Sequence, residues 1–246
     1  MENKKVLVAC EESQAVTIEL RKLGVEAYSC DIQKCSGGHP EWHCCENVLP
    51  LINGNCKLKT ENNEMHEIIG KWDLIIAHPP CTYMSNAGAC RMYPTKGNID
   101  PERYKKGMLA KDFFMNFYNA KCDHIAIENP MPLKIIGLPI ETQRIQPYQF
   151  GDPWSKKTYL WIKGLPNLQY TKLLKERKPF VPSGTGRKLG GDSYGAKKCA
   201  HNSKDRSKTF PGIAKAMATQ WVEYILNETN LSEVTHKVVD LKHEKY

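Results

Sequence analysis

Apolar residues in this chain fall in short unbroken runs divided by polar loops, a pattern of strands buried on both faces rather than of half-exposed ones. Lys5 to Ala9 is the first such run. Gln14 to Leu23 follows at helical spacing, with Ile18, Leu20 and Leu23 on the inner side and Gly24 as the stop. Val25 to Cys30 makes a second strand ending at Asp31. Strand, helix and strand in this order and length predict a parallel crossover. The segment Gly37 to Pro40 reads as a loop, and Glu64 to Ile69 as a helix. Trp72 to Ala77 is a strand that runs into Pro79, Pro80 and Cys81. Residues 101 to 120 form a helix starting at Pro101 and passing through Leu109, Phe113 and Phe117. His124 to Ile127 and Tyr159 to Ile162 are further strands. Phe210 to Leu226 closes the pattern as a helix, with Pro211 near its first turn and an apolar face of Ile213, Met217, Trp221 and Ile225. The expected fold is α/β: a Rossmann-like, doubly wound, mainly parallel sheet with helices on both faces. The expected organisation is a core over 1–162, a basic loop or small recognition insertion over 163–208, a completing helix over 209–226 and a polar, fraying tail over 227–246.

Composition narrows the class. The chain has 246 residues, enough for one sizeable core. It contains no apolar stretch long enough to span a membrane. The start at Met1 leads straight into the first strand without a cleavable signal pattern, which predicts a cytoplasmic protein. Ten cysteines, scattered through strands and helices, are expected to be mostly reduced, buried thiols. The formal net charge is +8. Its basic residues crowd between Lys172 and Lys208, where Glu176, Asp192 and Asp205 are the opposing acids. A polyanion such as DNA is the expected partner, against the plainer reading of a solvated loop.

The candidate chemistry sits where apolar runs end. Asp73 to Cys81 ends in a thiol behind two prolines, and Ile125 to Pro130 brings a carboxylate, Glu128, followed by Asn129. Active sites of open α/β sheets lie beyond the carboxyl ends of the strands, so a nucleophile and an acid would face one crevice. Tyr148 to Trp161 adds Gly151, Pro153 and Lys156 just before the next strand. These three segments, in this order, resemble the cytosine-5 DNA methyltransferase family, with its Pro-Cys loop, its Glu-Asn segment and its Tyr-Gly-x-Pro-Gln-x-Arg-x-Arg segment. In overall pattern the chain resembles the compact methyltransferase-like proteins of bacteriophages. The resemblance implies S-adenosylmethionine as cofactor and cytosine in DNA as substrate. It implies that Cys81 attacks carbon 6 of the ring, that Glu128 holds the ring nitrogen and exocyclic amine, and that Lys156 binds the base carbonyl or a phosphate. Ser85 matches a family serine and Asn129 the neighbour of the glutamate, both on the substrate side. Thr82 stands at the family Gln, and Thr158 at the second arginine.

For the cofactor the resemblance implies Glu11 or Glu12 at the methionine amino group and Ser13 in the tight turn. It further implies Asp31 at the ribose hydroxyls, Asn47 in place of an acid at the adenine amine, and Pro79 beside the cofactor. The glycines of the family's first loop are absent between Ala9 and Val16. An acidic helix N-terminus is the alternative for Glu11 and Glu12. The recognition region is short, so Arg187, Lys188, Lys197 and Lys198 are the expected phosphate contacts, and a second copy or a partner subunit could supply further recognition. Cys35, His39 and His43, with Cys44 and Cys45, are residue types that zinc takes, but their spacing is not that of a standard finger or ribbon. An amino-methyltransferase motif is broken at two places, where His78 stands for the acid and Cys81 for the aromatic. Two other functions stay open: a non-catalytic nucleic-acid- or partner-binding protein on a decayed scaffold, and an enzyme of free cytosine nucleotides.

Overall fold

The computed structural model describes residues 4–180 and 207–243, with side chains as far as residue 229. In chain order the elements are β1 (Lys5–Ala9), α1 (Ala15–Lys22), β2 (Glu26–Asp31), β3 (His43–Cys45), β4 (Cys56–Lys59), β5 (Met65–Ile68), β6 (Leu74–Ala77), α2 (Ala89–Met92), α3 (Pro101–Tyr118), β7 (Ile125–Pro130), β8 (Gln143–Ile145), β9 (Trp154–Ser155), β10 (Thr158–Lys163), β11 (Lys178–Pro179) and α4 (Pro211–His243). Among the described residues seven strands form one sheet in the order β3-β2-β1-β6-β7-β10-β8. The pairings β1–β2, β1–β6, β2–β3 and β6–β7 are parallel, while β10 runs antiparallel to both β7 and β8. The strand order reverses between β1 and β6, which makes the crevice beyond their carboxyl ends the topological switch point. This is the expected Rossmann-like, doubly wound sheet.

Alternation along the strands divides the core in two. Leu7, Ala9, Ile75, Ala77, Ile125 and Ile127 meet Phe114 and Phe117 of α3 on one face. Val6, Val8, Leu74, Ile76, Ala126 and Leu160 meet Val16 and Leu20 of α1, together with Ile213, Met217, Trp221 and Ile225 of α4, on the other. Helices therefore cover both faces. The first turn of α3 is held by Asp100, whose Oδ1 accepts the Arg103 amide at 2.7 Å, with Pro101 beside it. Gly212 at the start of α4 donates its amide to Asp152 Oδ2 at 2.9 Å. A side chain at Gly212 would strike the Phe150 carbonyl, so the turn and the helix can pack this closely only with glycine there.

Several expectations need correction. Residues 64 to 69 are not helical: Met65–Ile68 pairs antiparallel with Cys56–Lys59. The turn between them, with Asn63 at φ 71°, is fastened by Thr60 Oγ1 donating to Asn62 Oδ1 at 2.6 Å. A segment this short is stable only through such a partner. The inner face of α1 is Val16, Thr17 and Leu20, while Leu23 is exposed. In α3 Leu109 points to solvent and Phe114 and Phe117 are buried. The closing helix α4 runs past its expected end at Leu226, to His243. Nine cysteines lie among the described residues, all of them free. Only Cys30, Cys44 and Cys122 are buried, and Cys45 and Cys90 are exposed. Part of the basic region is tied to the core, because Lys172 and Leu174 donate backbone hydrogen bonds to Gln149 and Tyr148, and β11 pairs with β9. Among the described residues no helix is long and apolar enough to cross a membrane.

Candidate active site

Register assembles the site. Ile75 lies abreast of Ile125, Ile76 of Ala126 and Ala77 of Ile127, so the next pair along the two strands is His78 and Glu128. The His78 Nδ1 lies 3.3 Å from Glu128 Oε2, and the two side chains are only 8% and 12% exposed. The sequence expectation that the strand ends before Glu128 is corrected here. The antiparallel partner β10 extends β7 through Pro130, with Leu160 opposite Glu128 and Tyr159 opposite Asn129. Strand alternation then sends Glu128 and Asn129 to opposite faces. Asn129 is buried and donates from Nδ2 to the Pro79 carbonyl at 2.8 Å. It ties the Pro-Pro-Cys loop to β7, a structural use where substrate contact was expected.

The loop carrying Cys81 is held at both ends. The Met84 and Ser85 amides donate to the Cys81 carbonyl, and Asn86 and Leu133 join the loop to the chain beyond β7. Arg103 Nη2 donates to the Thr82 carbonyl at 2.8 Å, and its guanidinium lies 5.1 Å from the Tyr83 ring centroid. Burial pushes the Cys81 thiol above its ordinary range; the Glu128 charge pushes it further, while Lys156 and a hydrogen bond with Ser85 pull it back. Burial would also raise the Glu128 carboxyl, but the His78 hydrogen bond and the Lys156 charge outweigh it and hold Glu128 below the usual carboxylate range. Cys81, Ser85, Glu128, His78 and Lys156 therefore act on one another as a group. The Lys156 ammonium also lies 5.8 Å from the ring centroid of Phe210.

At the expected cofactor positions the outcome is divided. Glu11 is 4% exposed and turned under α1. Its carboxylate accepts the Val16 amide at 2.6 Å, the Thr17 amide at 3.2 Å and the Thr17 hydroxyl at 2.7 Å. That corrects the cofactor contact: Glu11 closes the N-terminus of α1, and those bonds would have to break before it met an ammonium. Burial raises its carboxyl above the ordinary value, with His78 opposing. Glu12 stays half-buried and hydrogen-bonded by the Ser36 hydroxyl. Ser13 lends its carbonyl to a close approach of Gly37. The turn itself is made without glycine, by Cys10 and Gln14 at φ 59° and 57°. Gln14 is fully buried, donates from Nε2 to the His39 carbonyl at 2.8 Å and accepts the His39 amide at 3.1 Å. Gly37 packs on it so closely that an added side-chain carbon would lie 2.6 Å from Gln14 Cβ. Asp31 ends β2 with Oδ1 accepting the Gln33 amide at 2.9 Å. Asn47 is exposed, and its Oδ1 caps a turn by accepting the Leu49 amide at 3.1 Å. Asp31 and Glu12 thus stay partly exposed beside the first loop, whereas Glu11 is committed to α1.

A cavity of about 510 Å³ opens beyond β2 and β3, bounded by Lys34, Pro40, Cys45, Glu46, Lys59, Thr60, Glu61 and Asn63. It lies apart from Cys81 and Glu128. Among the described residues no cluster of three metal-ligating side chains occurs. His43 is buried between Ser29 Oγ and the Gln33 carbonyl, each 2.8 Å from a ring nitrogen, and His39 stacks on Trp42. Arg187, Lys188, Lys197 and Lys198 lie outside the described residues. Sequence reasoning missed His78 as the partner of Glu128 and Gln14 as the clamp of the first loop. The strand ends hold the signal for His78, since two parallel neighbours in register must bring residues 78 and 128 abreast.

No family model and no curated protein matches the chain. Among solved structures, the Entamoeba histolytica methyltransferase EhMeth is similar at a TM-score of 0.42 and 16% identity, over 71% of this chain. The chain spans 58% of the length of that structure.

Proposed function

We propose that this protein transfers a methyl group to carbon 5 of cytosine in DNA, through a covalent intermediate on Cys81. The observation that carries the reading is that Cys81 follows β6, Glu128 lies on its parallel neighbour β7, and Lys156 stands just before β10, which pairs with the far end of β7. Addition of a thiolate to carbon 6 puts charge on the ring, and a cation at the carbonyl would stabilise it, while the Glu128 carboxylate would accept from the exocyclic amine. Lys156 serves both partners, since its charge favours the Cys81 thiolate and can meet the base carbonyl. S-adenosylmethionine, when bound, would supply the electrophilic methyl; Asp31 would hold its ribose hydroxyls and Glu12 its amino group. The basic segment, of which Lys172, Lys175, Arg177 and Lys178 are described, would follow the phosphate backbone.

Cys81→Ala should lower methyl transfer to cytosine-containing DNA on the order of a thousand-fold or more, while DNA binding persists. Mass spectrometry of nucleosides from treated DNA reads this directly. Transfer at the parental rate in Cys81→Ala would defeat the assignment.

A second reading has its own support. Glu11 is committed to α1, and the segment from Ser36 to His39 is seated on the first loop through Glu12, Ser13 and Gln14. On that reading the protein binds nucleic acid or a partner without catalysis. Calorimetry with S-adenosylmethionine separates the two, because heat of binding at millimolar cofactor belongs only to the enzyme.

A further inference from the structure

The backbone around Cys81 is held carbonyl by carbonyl. Asn129 Nδ2 donates to the Pro79 carbonyl at 2.8 Å, and the Met84 and Ser85 amides donate to that of Cys81 at 3.1 and 2.9 Å. The next carbonyl, that of Thr82, accepts from Arg103 Nη2 at 2.8 Å. Arg103 stands in the first turn of α3, where Asp100 Oδ1 fixes its amide. Its guanidinium has a fitted seat. The Tyr83 ring centroid lies 5.1 Å away. Beside it is buried Gly88, where an added side-chain carbon would lie 2.5 Å from Nη2. Gly107 leaves similar room, since a side-chain carbon there would lie 3.3 Å from the Tyr83 carbonyl. Arginine ordinarily keeps its charged head in water. Here Nε is buried without a hydrogen-bond partner, a cost that the placing of Nη2 on Thr82 has to offset.

We infer that Arg103 is a positioning residue for the Cys81 nucleophile, holding the second peptide plane after the thiol as the Met84 and Ser85 amides hold the first. That role rests on the reading of Cys81 as the attacking group. With both planes fixed, rotation about the Thr82 backbone is blocked, and Sγ keeps little freedom beyond its own rotamer. A bond from sulfur to carbon 6 forms only from a near-attack distance of about 3–3.5 Å, and a misplacement of about 1 Å costs on the order of a hundred-fold in rate. Arg103 touches neither base nor cofactor in this scheme. It acts through the carbonyl of the residue that follows the nucleophile.

Hydrogen exchange of the full-length protein reads the tether without any substrate. In Arg103→Ala the amides from Thr82 to Gly88 should exchange about ten-fold faster or more, while those of β1 and β2 keep their parental rates. Parental exchange in the loop, or faster exchange throughout the sheet, overturns the inference. In the same variant kcat for methyl transfer should fall about ten- to a hundred-fold with KM little altered. Parental kcat in a loosened loop overturns it equally. Gly88 has φ −92°, which alanine adopts, so Gly88→Ala displaces the guanidinium without straining the backbone. It should loosen the loop in the parent and add nothing in Arg103→Ala. Additive effects of the two changes would show that the seat and the tether are unconnected, against the inference. Should the parent methylate no cytosine at all, the function proposed above fails, and the exchange measurements still decide whether Arg103 holds the loop.

Discussion

At Cys81 burial and two opposite charges compete, and the outcome decides how reactive the thiol is. Only the thiolate attacks. Burial and Glu128 oppose it, while Lys156 and Ser85 favour it. Alkylation of Cys81 by iodoacetamide, followed on its own peptide so that exposed Cys45 and Cys90 do not interfere, should quicken as pH rises. At a fixed pH, Glu128→Gln should speed it about three- to ten-fold, and Lys156→Ala should slow it by a similar factor. Equal rates in the three proteins would mean that neither charge acts on the thiol. Glu128 has the opposite linkage. Its folded value is depressed, so the stability it contributes is present above the unfolded carboxylate range and disappears as pH falls through the folded value.

Among the elements, α1 shows how a residue expected to bind cofactor serves the fold. The helix has only eight residues and no side-chain cap from Gln14. Glu11, five residues before Val16, supplies the acceptors instead. Glu11→Ala should therefore cost about 1–3 kcal/mol, read from the urea midpoint. Glu11→Gln keeps the shape and should cost less. The folded value of Glu11 is raised, so its stabilising contribution is fullest at low pH and declines as pH rises through that value. The stability of Glu11→Gln relative to the parent should thus improve as pH rises above the unfolded carboxylate range. A flat difference would show that the carboxyl does not titrate differently on folding.

For the molecule as a whole, α4 joins distant parts of the chain. Trp221 is fully buried against the sheet and donates from Nε1 to the Pro166 carbonyl at 3.0 Å. Gln220 exchanges hydrogen bonds with the backbone of Gln169, and Gly212 meets Asp152. The helix thereby holds the segment from Pro166 to Gln169 and the turn that precedes Lys156. Trp221→Ala should destabilise the protein by about 3–5 kcal/mol, measured by denaturant unfolding. A loss below about 1 kcal/mol would mean that α4 docks independently of this ring.

The α/β class, strands β1, β2, β6, β7 and β10, the apolar face of α4 and the placing of Cys81, Glu128 and Lys156 beside strand ends were legible in the sequence. Each depends on local signals: unbroken apolar runs, helical spacing, and chemistry at the ends of strands. The hairpin β4–β5 was not legible, because four-residue strands of mixed polarity acquire their conformation from pairing. Nor were the tasks of Glu11 and Asn129, nor the pairing of His78 with Glu128. A carboxylate next to a helix and a carboxylate next to a cofactor read alike in sequence, and only the packing of α1 over Glu11 separates them. His78 and Glu128 are 50 residues apart and become partners only because β6 and β7 lie side by side in parallel register. The sequence by itself determined which reactive groups stand at which strand ends. The tertiary structure decided which of them share a buried space, since electrostatic coupling depends on distance and burial, and neither is set until the sheet has closed.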